Sequence, residues 1–218
     1  VSTVTDDAEG DVTGTTDASG IDDAAILAAM ARQTGEIQQV PTAVSAIKVN
    51  GQRAYARVRA GENVVLQPRA VTVSRFAATE TRRHDEVVDV DVEVTCSSGT
   101  YVRALARDVG ADLGVGGHLT ALRRTRIGPF DLTAACPDIF ADDAVAPAPM
   151  TMAEAARLSF PVVEVTDDQE AAIRVGRRVD MTVPADVTAM IAGTGEMLAL
   201  YRPDGERKGQ SRAICVLV

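Results

Sequence analysis

Apolar and polar positions alternate most cleanly in Val88-Asp-Val-Asp-Val-Glu-Val94, with valines on one face and carboxylates on the other. That period of two predicts a half-exposed β-strand whose acids form a solvated face rather than a metal site. Ala70-Val-Thr-Val-Ser-Arg-Phe76 predicts a second strand, and Ala43-Val-Ser-Ala-Ile-Lys-Val49 a third that ends at the Asn50-Gly51 turn signal. Helical spacing takes over in two places. Ile21 to Thr34 predicts a helix, with Asp22 and Asp23 near its start and Gly35 to end it. Beyond the polar turn Ser97, Ser98, Gly99, the residues Val102, Leu105, Ala106 and Val109 recur at helical spacing, with Thr100 placed to cap. A short Arg-rich helix is expected over Ala54–Ala60, and a glycine-rich loop at Gly114, Gly116 and Gly117. A helical turn near Leu119–Arg124 and a strand through Phe130 and Leu132 follow. Residues 1–20, acidic and rich in Thr and Gly, read as an extended connection.

Alanine and proline accumulate over Asp138–Met150, which marks a boundary. Beyond it, short strand-like runs (Val162–Val165, Met197–Tyr201, Ala213–Val218) surround a Pro203-Asp-Gly205 turn. The expected fold class is α+β, with a mainly antiparallel sheet and flanking helices in residues 1–137. A linker with a short helix spans 138–159, and a small β-rich domain spans 160–218.

Composition narrows the chemistry. No apolar run approaches the roughly 18 residues that cross a bilayer. Cys96, Cys136 and Cys215 are odd in number and widely spaced, which argues against a disulfide framework or zinc site. With His84 and His118 the only histidines, no metal centre is expected, and the chain reads as a reduced cytoplasmic protein. His118 reads as structural. The formal net charge of −9 hides an uneven distribution. Residues 1–36 hold eight acids and one base, whereas 48–83 hold eight bases against Glu62 and Glu80. Arg123, Arg124 and Arg126 form a further basic cluster. A local basic face is what nucleic acid needs, whatever the overall charge.

The start of the helix after Thr100 carries the most chemistry. Tyr101 and Arg103 fall on its first turn, beside free backbone N–H groups that favour anions. A guanidinium there suits a carboxylate or a phosphate through paired hydrogen bonds. A capped surface helix with a solvated arginine fits the same spacing.

Three ordered stretches break that tie. Thr3-Val-Thr-Asp-Asp-Ala-Glu-Gly10 comes first. Val40-Pro-Thr-Ala-Val-Ser-Ala-Ile-Lys-Val-Asn-Gly-Gln-Arg-Ala-Tyr55 comes second. Third is Ser97-Ser-Gly-Thr-Tyr-Val-Arg103 with Gly114-Val-Gly-Gly-His-Leu-Thr-Ala-Leu-Arg-Arg-Thr-Arg126. Together they resemble the bacterial tRNA pseudouridine synthase B (TruB) family. The terminal β-rich part is similar to the PUA-like RNA-binding domain that ends many such synthases.

The resemblance implies isomerisation of uridine-55 in the T loop of tRNA, without cofactor, by a monomeric cytoplasmic enzyme with no membrane contact. It assigns Arg103 as the partner of a nucleophilic aspartate, Tyr101 as a contact to the target uridine, and Leu122 as the apolar residue against the flipped base. Lys48, Arg123 and Arg124 are expected on phosphate, Tyr55 to stack or pack, and Asp7 to touch RNA or to shape a turn. One departure stands out. The family's nucleophile lies in a Gly-Thr-Leu-Asp-Pro-type motif that these 218 residues lack. The chain is therefore expected to be an N-terminally truncated synthase, inactive alone. A non-catalytic RNA-binding or RNA-chaperone module is the alternative.

Overall fold

The computed structural model describes residues 1–42, 48–49, 52–53, 66–135 and 148–218. Residues 43–47 of the strand expected over 43–49, the expected helix over 54–60, Tyr55, the side chain of Lys48 and most of the 138–150 boundary lie outside them. The chain divides into two compact units, Val1–Arg123 and Arg124–Val218.

The first unit is built on a long antiparallel hairpin. β6 (Arg69–His84) and β7 (Val87–Cys96) pair from Val73↔Cys96 to His84↔Val87. Asp85, in the left-handed region at φ 49°, makes the turn. Both strands outrun the stretches that alternation marked. β3 (Gly35–Gln39) adds to β6 on the other side, so the sheet order is β3-β6-β7. Ser2–Thr3 (β1) and Val12–Gly14 (β2) pair antiparallel, so residues 1–20 are more than an extended connection. Lys48–Val49 (β4) and Gln52–Arg53 (β5) pair across positions 50 and 51, as the Asn-Gly signal required.

Two helices pack on this frame. α1 (Asp23–Arg32) starts where Asp22 Oδ1 accepts from Ala25 N at 2.7 Å, and it buries Ile26, Ala29 and Met30. α2 (Val102–Asp112) buries Ala104 and Leu105. Val71 and Val73 of β6 are buried in the same unit. The residues expected to form a helical turn, Leu119–Arg124, are irregular instead: Leu119 bridges to Asp7 as a strand would, pulling the chain out straight.

In the second unit, β8 (Arg126–Ile127) pairs with β9 (Phe130–Asp131). The strand expected through Leu132 stops at Asp131, whose carboxylate accepts from Thr133 N and opens a 3-10 turn over Leu132–Ala134. A four-stranded sheet follows, ordered β10 (Val162–Glu164), β11 (Thr188–Ile191), β12 (Met197–Pro203), β13 (Ser211–Val216). Only the first pair is parallel. α3 (Met152–Ser159) and α4 (Asp167–Arg174) cover it. Each begins with a capping box, Thr151 with Glu154 and Thr166 with Gln169. Tyr201, Ile173, Met190 and Leu198 form its fully buried core. The tyrosine hydroxyl is satisfied by the Arg177 carbonyl at 2.6 Å. The whole is an α+β fold.

Candidate active site

The first turn of α2 is held in an unexpected way. Its N-cap is Tyr101, not Thr100, and no side chain of its own caps it. Gln39, fully buried at the end of β3, does the work from 62 residues away. Tyr101 N donates to Gln39 Oε1 at 2.8 Å, and Gln39 Nε2 donates to Tyr101 O at 3.1 Å. A free helix-end donor and a neighbouring carbonyl are thus satisfied by one amide.

Arg103, one step further, meets Asp7. Arg103 Nη1 lies 2.8 Å from Asp7 Oδ2. The other oxygen, Oδ1, accepts from Thr5 Oγ1 at 2.5 Å and from Glu9 N at 3.1 Å. Thr3 Oγ1 donates to the Asp7 carbonyl at 2.7 Å. This gives Thr3-x-Thr5-x-Asp7 a physical meaning: both hydroxyls fold the turn that presents the carboxylate. The Thr5 hydrogen bond, with the Glu9 amide and the Arg103 charge behind it, holds the Asp7 carboxyl below the ordinary aspartate range.

A second pair lies beside the first. Arg107 Nη1 donates to Asp6 Oδ2 at 3.2 Å, Arg107 Nη2 to Val40 O at 2.7 Å, and Arg107 Nε to Asp108 Oδ1 at 2.9 Å. Arg103 and Arg107, four apart, share a face of α2. Consecutive side chains of an extended segment would point to opposite sides. Asp6 escapes that rule because its φ is 58°, a left-handed conformation that aspartate tolerates. Both carboxylates therefore reach the same helix. Burial pushes the Asp6 carboxyl up, partly offset by Arg107.

The glycine loop closes the site from behind. A Cβ on Gly110 would fall 2.2 Å from the Gly116 carbonyl carbon, and one on Gly117 2.3 Å from Ala106 O. Only glycines let α2 and the loop touch so closely. The loop then carries Leu119, whose N–H donates to Asp6 O at 3.0 Å. His118 Nδ1 lies 3.0 Å from the Val1 carbonyl, a structural contact.

Among the expected site residues, the fold brings Asp7, Tyr101 and Arg103 to one end of α2. Arg103 is 43% exposed at its side chain, and the described residues give it one carboxylate, leaving guanidinium N–H groups open to the surface. Leu122 is 64% exposed. Arg123 and Arg124 are both exposed, the first ending one unit and the second opening the other. A cavity of about 170 Å³ lies along another face of α2, between Val102, Leu105, Val109 and the valines Val90 and Val92 of β7. Neither Arg103, Tyr101 nor Leu122 lines it. Sequence reading missed Gln39, Asp6 and Arg107, all of which act across long chain separations. No group of three or more His, Cys, Asp or Glu among the described residues is arranged to hold a metal ion. No helix among them is long and apolar enough to cross a membrane.

Residues 1–102 match the family model described as TruB family pseudouridylate synthase (N terminal domain). Residues 103–139 match that of the tRNA pseudouridylate synthase B C-terminal domain. The tRNA pseudouridine synthase B of Cutibacterium acnes is 83% identical over 218 residues, covering 100% of this chain and 74% of that protein. That of Nocardia farcinica is 51% identical over 208 residues, covering 94% and 67%. A solved Cbf5-Nop10-Gar1 complex contains a chain that is 23% identical with a TM-score of 0.58, covering 91% of this chain and 62% of its own. A chain of an H/ACA RNP bound to a substrate RNA containing 2'-deoxyuridine gives 21% and 0.54, covering 94% and 61%. These last two likenesses concern the fold, and this chain spans somewhat over three fifths of each solved chain.

Proposed function

Since the chain belongs to the TruB family of pseudouridylate synthases, we propose that it acts on uridine-55 of the T loop of tRNA, with Arg103 as the partner of the nucleophile. The observation that carries this reading is Arg103, anchored by Asp7 at 2.8 Å on the first turn of α2 with donors to spare. Asp7 fixes the guanidinium from one side. The unoccupied donors suit the second carboxylate that the reaction needs as nucleophile, which the Gly-Thr-Leu-Asp-Pro-type motif would provide.

The chemistry converts an N-glycoside into a C-glycoside. The target base leaves its stack, at a cost of a few kcal/mol. The bond from ribose C1′ to N1 breaks and one from C1′ to C5 forms. C5 loses its hydrogen to solvent, and N1 gains a proton. The nucleophile forms a transient covalent bond at base or ribose, and Arg103 keeps it ionised and aimed. Tyr101, the N-cap of α2, meets the uridine in this reading, and Leu122, an exposed apolar side chain, packs on the flipped base; their positions support it. Arg123 and Arg124 contact phosphate. Lys48 and Tyr55 are proposed to touch the RNA as well.

The test is tritium release from tRNA labelled at C5 of uridine, using enzyme that carries the nucleophile. Release that stops when the uridine at position 55 is replaced supports the reading. Undiminished release from such tRNA, or none from the wild-type substrate, refutes it.

A further inference from the structure

The chain leaves the sheet of the first unit at a charged anchor. β3 pairs with β6 as far as Gln39↔Arg69. Pro41, two residues on, has no N–H to donate, and a residue before proline keeps an extended path. At Val40 the chain has left the ladder, and its carbonyl accepts from Arg107 Nη2 at 2.7 Å instead. The same guanidinium donates from Nη1 to Asp6 Oδ2 at 3.2 Å and from Nε to Asp108 Oδ1 at 2.9 Å. Thr42, itself buried, stands beside the Asp6 carboxylate. Gln39 meanwhile holds both backbone groups of Tyr101. Residues 39, 40 and 42 thus each touch either α2 or the turn at Asp6.

This anchor is only partly open to water. The Asp6 side chain is 12% exposed and that of Arg107 29%. Burial pushes the Asp6 carboxyl up and Asp108 adds to it, while Thr42 and Arg107 hold it down. A planar fork suits the place because it reaches a carbonyl and a carboxylate at once and fixes the angle between them, which a lysine's point charge does not. Asp6 adjoins Asp7, which holds Arg103 at 2.8 Å. The guanidinium that grips Val40 and the one proposed to meet the nucleophile therefore stand about one helical turn, ~5.4 Å, apart on one face of α2. Lys48, six residues beyond Thr42, opens β4.

We propose that Arg107 is a positioning residue of the synthase: by clamping Val40 and Asp6 onto α2 it sets the stretch that carries Lys48 and Tyr55 in register with Arg103. The inference rests on the reading that Lys48 and Tyr55 touch tRNA. Arg107 meets neither the uridine nor the nucleophile, and acts through the backbone at residue 40. Without that anchor the RNA itself must set the stretch in place, so binding weakens while the chemistry on seated tRNA is kept.

Steady-state tritium release by enzyme that carries the nucleophile tests this. Arg107→Gln should raise KM for tRNA about tenfold with kcat within about threefold, the pattern of binding lost equally from ground and transition states. Arg107→Lys keeps a charge for Asp6 but not the fork, so it should melt near wild type and still raise KM about threefold. Arg32→Gln, which removes a pair with Asp112 at the far end of α2, should leave both constants alone. The decisive arm adds Arg107→Gln to a variant lacking both RNA contacts, Lys48→Ala with Tyr55→Ala. A clamp that acts through the stretch then has little left to position, so the further rise in KM should stay under about twofold. A full further rise overturns the proposal, as does a fall in kcat alone. A wild-type KM in Arg107→Lys overturns it by itself, whether or not Arg107→Gln folds. If losing Lys48 and Tyr55 leaves KM unchanged although wild type releases tritium, the RNA role of the stretch fails and this inference with it; no release from wild type removes the functional reading itself.

Discussion

Asp7 Oδ2 sits 2.8 Å from Arg103 Nη1, although 96 residues separate them. The carboxylate is committed on both oxygens, by Thr5 and Glu9 on one and the guanidinium on the other. The arginine keeps open donors. This asymmetry fits the roles proposed for them, Asp7 as brace and Arg103 as working group.

Arg103→Ala is expected to collapse turnover by a factor of a thousand or more while tRNA affinity stays within a few fold. The partly exposed pair contributes on the order of 1 kcal/mol to folding at most, so the variant should fold. Single-turnover rates and filter binding check both halves; unchanged turnover removes Arg103 from the reaction. Asp7→Asn should lower turnover in the same direction, by less, because the brace weakens while the cation remains.

Gln39→Leu should destabilise the first unit by roughly 1–3 kcal/mol, since the Tyr101 amide and carbonyl lose a buried partner. Urea unfolding measures this. A variant as stable as wild type would mean that water replaces the amide.

Gly110→Ala should destabilise, against the usual preference of helices for alanine by ~1 kcal/mol. The added Cβ meets backbone 2.2 Å away and must push the 116–119 loop off α2. Gly20→Ala, where nothing lies within 4 Å, serves as the control. Melting temperatures that fall for Gly110→Ala alone are the expected outcome.

Acid should loosen the second unit through Asp204. The Arg178 hydrogen bond, then the Glu206 amide, hold its carboxyl below the ordinary range. Such a group adds stability above its unfolded pKa of about 4, and loses that contribution as pH falls through the lower folded value. Asp204→Asn should flatten that part of the melting curve between pH 5 and pH 2, roughly the window over which a depressed aspartate titrates. An unchanged acid profile would remove Asp204 as its source.

Local pattern announced much of the frame. Valines at 88, 90, 92 and 94 declared β7, and Asp22 and Gly35 bounded α1 to within three residues. Thr166 with Gln169 signalled α4 as a capping box, and reading 160–218 as strands alone passed over it. Thr188–Ile191 is buried at all four positions, so β11 had no alternation to offer. That Tyr101 and Arg103 share the start of α2 was legible from spacing, but not what holds them. Gln39, Asp6 and Arg107 reach their partners across 62 to 101 positions, and spacing along a chain carries no record of such meetings.

The backward bend at Asp6 limits how this enzyme can drift. A β-branched residue there would resist φ 58° and tend to swing the next carboxylate to the far side of its strand, whereas glycine or asparagine would keep the path. Backbone geometry at that one position thus restricts which side chains fit before any demand of the reaction is felt.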